Sequence, residues 1–274
     1  MHASLRVAGA FVRLVWWYTP VSIALVYAPP RVTVTVAVLT VVALVLWYTR
    51  RIDPQSSAQR RATLRLRRIG PAAPWVAGMA IAMPVGLCAV TLLVARMGYG
   101  FDKIPDQLGP FLHRPHGWWT VSAMAVLVAP VLEEFGFRGW IQQPLESLVG
   151  APWAIAISAA LFALAHEVLL RFPFLFVIGL ILGSVVYLTG SIWAGVAMHF
   201  GNNAMVMLLG APPVERMLAH LGQPNAWQLM TCAAASSLLC VWLFRGLLRA
   251  TRRAGASMAD GAPSTRFASG SLPP

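Results

Sequence analysis

Charged residues are scarce in this sequence. Asp, Glu, Lys and Arg make up 11% of its 274 residues, whereas hydrophobic residues make up 58%. Because a soluble domain carries roughly 25% charged residues, an ordinary soluble fold is excluded. Apolar runs near 20 residues, about the length of a membrane-spanning helix, recur along the chain, and the alternating pattern of a membrane β-barrel is missing. We therefore expect an all-α, polytopic integral membrane bundle of about eight transmembrane helices.

Acidic residues are the rarer charged type. Asp and Glu number 9 against 21 Lys and Arg, which gives a net charge of +12 at pH 7. Such an excess can indicate a nucleic-acid partner, but no nucleic-acid-binding motif accompanies it. The arginines instead cluster between apolar runs, and residues 50–70 contain seven of them against the single acid Asp53. The positive-inside rule then predicts a multi-pass protein of the cell (inner) membrane with both termini cytoplasmic, in contact with membrane lipids and not with nucleic acid.

Several signatures of other protein classes are also missing. The 3 cysteines all lie in apolar runs, and no pair of them has metal-ligand spacing, so we expect small buried hydrophobic side chains. The sequence has no Gly-rich phosphate loop and no His-Glu-x-x-His segment, which is the commonest zinc-protease signature. It shows no convincing internal repeat, which disfavours a transporter because many transporter folds are built from repeats.

The apolar runs divide the chain into four predicted regions. Residues 1–117 hold N-terminal transmembrane helices and the basic cytoplasmic linker. Residues 118–210 form a central region that holds the polar residues described next, residues 211–254 a last loop and the C-terminal transmembrane helix, and residues 255–274 a tail whose Gly, Ser and Pro content predicts disorder. The predicted spans are 9–28, 32–49, 72–97, 118–148, 152–170, 174–189, 191–210 and 225–248.

The run that begins near Trp118 contains charged residues where a membrane helix normally has none. Glu133, Glu134 and Arg138 lie well inside it, and each charge at bilayer depth costs on the order of 2.5–3.5 kcal/mol on insertion scales, so such residues usually serve a function. Glu134 and Arg138 are four residues apart and can pair on one helix face. Glu133 points about 100° away. This arrangement predicts one carboxylate held by arginine and one left to react.

Two later runs carry polar side chains that can meet this cluster. His166 and His199 lie at depths within reach of Glu133 inside a core about 30 Å thick, and Asn203 shares a helix face with His199. A carboxylate beside an imidazole can activate water as a general base, and a second imidazole with an amide can stabilise an oxyanion. Glu133, His166 and His199 can instead ligate a divalent metal such as zinc with an open position for water. Residue types alone leave both possibilities open.

These residues form three motifs in a fixed order: Glu-Glu-x-x-x-Arg, Phe-x-x-x-His and His-x-x-x-Asn. Together they resemble the CAAX prenyl protease and bacteriocin-processing family of intramembrane endopeptidases. The residues that match are Glu133, Glu134, Arg138, Phe162, His166, His199 and Asn203. The resemblance covers about 118–210, and the rest of the chain corresponds only as further helices and loops.

The resemblance implies hydrolysis of a peptide bond in a peptide or protein substrate, near the C-terminus of prenylated proteins or in unlipidated peptides. It also implies roles: Glu133 and His166 activate water, His199 and Asn203 hold the oxyanion, and Glu134 with Arg138 supports the site. Members have been called metallopeptidases and glutamate-dependent peptidases, so the cofactor is either none or a metal. Two other hypotheses remain, a non-catalytic immunity or scaffold protein of the same fold and a transporter or proton relay. Asn202 has no motif partner, and we expect it to support the site or to pack.

Overall fold

A computed structural model describes residues 64–98, 117–166 and 169–260, together with isolated positions among the first 62 residues. Within these residues every regular element is a helix, and no strand occurs. Five helices are long and apolar enough to cross a membrane by length and composition. This confirms the predicted all-α membrane bundle. The runs predicted at 9–28 and 32–49, the loop at 99–116 and the tail from residue 261 lie outside the described residues.

Seven helices, one of them composite, follow one another along the described chain. They are α1 (Ala73–Arg96, after a 3₁₀ turn at Gly70–Ala72), α2 (Gly117–Val149), α3 (Ala151–Leu164), α4 (Phe172–Thr189, after a 3₁₀ turn at Leu169–Arg171), α5 (Ile192–Leu209), α6 (Pro212–Leu221) and α7 (Ala226–Asp260).

Helix α2 alternates between α-helical and π-helical geometry. The π-helical stretches are Met124–Val128 and Glu134–Gln142. Each stretch is followed two residues later by a proline, Pro130 or Pro144. Proline lacks the N–H of a regular helix and its ring crowds the carbonyl four residues earlier, so the preceding turn widens. The second stretch contains Glu134 and Arg138, and π-helical turns occur frequently at functional sites.

Three segments differ from their predicted extents. The run predicted at 152–170 is helical only to Leu164, because a polar residue, His166, closes the helix. The predicted loop at 210–224 contains α6, whose first turn holds Pro212 and Pro213; proline has the backbone angle of a first helical turn, which the prediction overlooked. The last helix reaches Asp260 instead of 248, because its Ala- and Arg-rich end has high helix propensity.

Helix α1 lies between α5 and α7. On the α7 side, the rings of Trp75 and Trp242 meet edge to face with centroids 5.5 Å apart. On the α5 side, a Cβ atom added to Gly201 would lie 2.2 Å from the carbonyl oxygen of Ala80, so the two backbones touch. Pro84 lies within α1 and leaves that same carbonyl without its normal helical donor. Helix α5, which carries His199, is therefore held directly against the backbone of α1.

Candidate active site

The predicted site residues lie on three helices that pack together. Glu133, Glu134 and Arg138 occupy the middle of α2, His166 follows the end of α3, and His199 lies in α5. Five of the six predicted residues form one contact network, and the sixth, Asn203, joins α2 one turn further along α5.

Glu133 faces both histidines. Its Oε2 atom lies 4.0 Å from Nε2 of His166 and 3.7 Å from Nε2 of His199. The Glu133 side chain is 11% exposed, whereas that of His166 is 34% exposed. Among the described residues this Oε2 atom has no hydrogen-bond partner, although buried polar atoms are nearly always bonded to protein or water. A water molecule bound to Oε2 of Glu133 can therefore reach either imidazole nitrogen.

Glu134 is fully buried and is held from two sides. Its Oε1 atom accepts hydrogen bonds from Nη1 of Arg138 and from Nδ1 of His199, each at 3.0 Å. Arg138, also fully buried, donates from Nη2 to the carbonyl of Gly179 in α4 at 3.2 Å. A charge buried at this depth is tolerated only when it is paired and hydrogen-bonded. Glu134 thus orients His199, while Arg138 attaches Glu134 to α4.

Phe162 lies at the centre of the cluster. Its ring is 1% exposed, and its centroid lies 4.6 Å from the guanidinium carbon of Arg138, a distance typical of a cation–π contact. The ring centroids of His166 and His199 lie 4.8 Å and 5.7 Å away, and that of Phe137 lies 5.5 Å away. One aromatic ring therefore packs against both imidazoles and restricts their orientation.

We expect Phe162→Leu to lower kcat/KM by roughly 10- to 100-fold, because a small displacement of a catalytic group has an effect of this size. The matched control is Phe200→Leu, which changes a 44% exposed phenylalanine next to His199 and should stay within about twofold of wild type. Steady-state cleavage of a reporter peptide measures both. Equal effects of the two substitutions would show that the position of Phe162 is unimportant.

His166 also ends α3. Its Nδ1 atom lies 2.8 Å from the carbonyl oxygen of Phe162. A carbonyl can only accept, so Nδ1 carries the proton, and in the neutral ring Nε2 is an acceptor that faces Glu133. The Phe162 carbonyl is one of the last four of the helix, which lack a backbone donor. The side chain that closes the helix is therefore the one whose other nitrogen enters the site.

Asn203 links α5 to the first π-helical stretch of α2. Its Nδ2 atom donates to the carbonyl of Ala125 at 2.8 Å, and its Oδ1 atom accepts from Nδ2 of Asn202 at 3.2 Å. Asn202 thus fixes which end of the Asn203 amide faces α2. A side-chain amide has two N–H donors, and the bond to Ala125 uses one of them.

Two glycines allow these helices to approach. A Cβ atom added to Gly195 would lie 2.5 Å from Oε2 of Glu134 and 2.6 Å from Cγ2 of Val186. A Cβ atom added to Gly179 would lie 2.8 Å from Cβ of Ala159. Small residues at close helix contacts are common in membrane bundles, and at Gly195 the space saved is occupied by a site carboxylate.

Two polar residues of α2 were missed in the sequence. The fully buried Gln142 donates from Nε2 to the carbonyl of Gly183 at 3.1 Å and to Oε1 of Glu146 at 3.0 Å. Glu146 follows Gln142 by four residues, the same step that separates Glu134 from Arg138 and Arg138 from Gln142. A polar residue at every fourth position of an apolar run predicts a buried polar stripe, and this signal could have identified both.

The donor types of the site suit zinc, but their spacing does not. Ligands about 2.0–2.1 Å from a tetrahedral zinc lie roughly 3.3 Å from each other, whereas Oε2 of Glu133 lies 3.7 Å and 4.0 Å from the two imidazole nitrogens. Within the described ranges no group of three or more His, Cys, Asp or Glu has the arrangement of a metal site. A water molecule at a hydrogen-bond distance of about 2.8 Å from each atom matches the wider spacing.

Comparison with known proteins agrees with the motifs. Residues 115–205 match the family described as Rce1-like: Type II CAAX prenyl endopeptidase Rce1-like. No curated protein and no solved structure matches the chain. The matched residues contain all three motifs, so the resemblance predicted from the sequence is confirmed. Residues 115–205 of this helical membrane protein are therefore similar to the Rce1-like family of type II CAAX prenyl endopeptidases.

Proposed function

We propose that this protein is an intramembrane endopeptidase that hydrolyses a peptide bond with a water molecule activated by Glu133 and His166. The observation that carries the proposal is that Oε2 of Glu133 lies 4.0 Å from Nε2 of His166 and 3.7 Å from Nε2 of His199. These separations are too long for direct hydrogen bonds and suit a bridging water. The proposed catalytic core is residues 118–210.

In the proposed reaction Glu133 acts first as the general base. Two carboxylates and one guanidinium leave the cluster with one negative charge when both imidazoles are neutral, and with no net charge when His199 is protonated. As Glu133 takes a proton from water, its negative charge passes to the oxygen of the attacked carbonyl, so the net charge of the buried site does not change. The water oxygen bonds to the substrate carbonyl carbon while its proton passes to Glu133 or His166. The C–N bond then breaks as the same proton passes to the leaving amine, so base and acid are one group in two steps.

His199 and Asn203 are the proposed donors to the oxyanion. Glu134 holds Nδ1 of His199 at 3.0 Å, and this carboxylate offsets the positive charge that His199 carries when Nε2 is also protonated. Nε2 can then donate to the developing negative oxygen, together with the second N–H of the Asn203 amide. Donors that are already oriented stabilise a transition state strongly in a site that excludes water. Glu134 and Arg138 support the site and do not touch the substrate.

The proposed orientation has the arginine-rich end of the bundle in the cytoplasm. Arg67 and Arg68 precede α1, and Arg249 lies near the end of α7. These positions lie at one end of the bundle because Trp75, at the start of α1, packs against Gly246. The positive-inside rule assigns such an end to the cytoplasm. The proposed substrate is a peptide or protein at the membrane, with or without an attached lipid.

The test is cleavage of a peptide library by the purified protein in nanodiscs. Peptides that end in a Cys-a-a-X sequence, with three residues after the cysteine, are supplied in prenylated and unprenylated form, with and without phenanthroline. We expect cleavage that resists the chelator, because the site spacing suits water better than zinc. Cleavage abolished by the chelator and restored by zinc would overturn the proposed water mechanism. Absence of cleavage of every peptide, with cell-based immunity unaffected by Glu133→Gln, would favour the non-catalytic hypothesis.

A further inference from the structure

We propose that residues 64–68, here called the connector, position the carboxylates of α2 against His199 of α5. This inference rests on the proposed function. The connector precedes α1 and lies outside residues 115–205, which match the family. The connector therefore supports the site from outside the residues that match the family.

The connector is packed against the residues that flank the site carboxylates. Leu64 is 0% exposed and belongs to one apolar cluster with Leu132, Phe135 and Ile192. Leu132 and Phe135 are the immediate neighbours of the Glu133–Glu134 pair. A Cβ atom added to Gly139 would lie 2.6 Å from Cδ2 of Leu64, so Leu64 occupies a gap that only glycine leaves open. Movement of Leu64 must therefore disturb α2 where it carries the carboxylates.

The connector also holds the turn between α4 and α5. The backbone N–H of Ile192 donates to the carbonyl of Arg65 at 3.0 Å, and this N–H belongs to the first turn of α5, which has no intrahelical acceptor. The Ser191 hydroxyl donates to the carbonyl of Arg67 at 2.6 Å. In return, Nη2 of Arg67 donates to the carbonyl of Thr189 at 2.7 Å. The start of α5 is thus fixed by connector atoms.

An ion pair attaches the connector to the end of α2. Nη2 of Arg65 bonds Oε2 of Glu146, whose other oxygen accepts from Gln142. Arg65 has a φ of 54°, in the left-handed region that residues other than glycine rarely adopt. Such a conformation persists where surrounding contacts impose it, and it is found most often at functional sites. Here the Arg65 carbonyl and side chain bind two different helices, α5 and α2.

These contacts set how α2 and α5 lie relative to each other. His199 follows Ile192 by seven residues, about 10 Å along α5, and Glu134 precedes Gly139 by five. A hydrogen bond from Nδ1 of His199 to Oε1 of Glu134, 3.0 Å long, joins the two helices at the carboxylates. Because helices move as rigid units, a shift of about 1 Å at the connector breaks that bond, and misplacement of this size can lower a rate by about 100-fold.

The first experiment reverses the charges of the ion pair in the full-length protein. Arg65→Glu and Glu146→Arg should each lower kcat by about 10- to 100-fold with KM within about threefold, because the substrate still binds but the reacting groups are displaced. The double variant, in which the pair is rebuilt with opposite polarity, should return to within about fivefold of wild type. The control is Arg68→Glu, which alters an exposed connector residue and should act as wild type. Equal loss in the double variant and the single variants would overturn the ion pair's positioning role.

The second experiment measures helix positions without any substrate. Spin labels on Leu148→Cys in α2 and Val206→Cys in α5, both exposed, are placed in a protein whose native cysteines are serine. Arg65→Glu should shift or broaden the distance between them. The distance between labels on Ile81→Cys and Trp227→Cys, in α1 and α7, should not change. An unchanged α2–α5 distance would refute the inference even if kcat falls. A changed distance in a protein that cleaves no peptide would refute the proposed function and leave the connector's role standing.

Discussion

Replacing Glu133 with glutamine should lower kcat for peptide cleavage by about 100- to 10,000-fold, the range that a general base contributes. Glutamine keeps the shape of the side chain but cannot accept a proton from water. KM should change little, because the substrate is bound by other groups. Single-turnover cleavage by purified wild-type and variant proteins in nanodiscs measures this loss at the chemical step.

The same substitution should leave the fold intact or stabilise it. Glu133 is a buried carboxylate next to Glu134, and its Oε2 atom has no hydrogen-bond partner in the described part of the chain. Removal of one of two adjacent negative charges relieves repulsion, and active-site residues often reduce stability in this way. We expect a thermal midpoint equal to or above that of wild type. Wild-type activity in the glutamine variant would rule out Glu133 as the base. A lowered thermal midpoint would mean that misfolding causes the fall in kcat.

Replacing Arg138 with methionine should reduce the free energy of unfolding by about 3–5 kcal/mol, the cost of leaving a buried partner charge unpaired. Arg138 is fully buried and bonds Glu134 at 3.0 Å and the Gly179 carbonyl at 3.2 Å. Methionine fills a similar volume, so the loss of stability measures the effect of removing the charge more than that of changing the packing. Unfolding in detergent, followed by circular dichroism, measures the change.

A double variant separates charge from function. In Glu134→Gln with Arg138→Met the buried charges are removed together, so most of the lost stability should return. Activity should not return, because glutamine has no negative charge to offset that of a protonated His199. The free energy of unfolding of Arg138→Lys should lie between those of wild type and Arg138→Met, because a single ammonium cannot reproduce the planar pair of donors of arginine. If Arg138→Met unfolds like wild type, the Glu134–Arg138 pair is not structural.

Local sequence spacing was sufficient for contacts within one helix. The pairing of Glu134 with Arg138 follows from a separation of four residues, and the divergence of Glu133 from that face follows from the 100° step of a helix. Both hold even though this part of α2 is π-helical. The π-helical geometry was not predicted, although Pro144 stands two residues after this stretch and crowds a backbone carbonyl within it.

Contacts between helices were not available from spacing. The sequence left open which imidazole meets which carboxylate, and the structure shows His199 bonded to Glu134 while His166 faces only Glu133. The gap that Leu64 fills beside Gly139 also joins residues far apart in the chain. Such pairs depend on how helices are rotated and stacked, which small residues permit but do not specify.

By itself, the sequence determined that this protein is a helical membrane bundle and that its polar residues form three motifs in a fixed order. Those properties follow from composition and from periodicity along one helix, where hydrophobic burial and the 3.6-residue turn leave few alternatives. Only the tertiary structure decided that Phe162 contacts both histidines, that Glu133 faces both imidazoles, and that residues 64–68 contact both α2 and α5. These are relations between elements, and they arise from the packing of side chains whose partners lie tens of residues away.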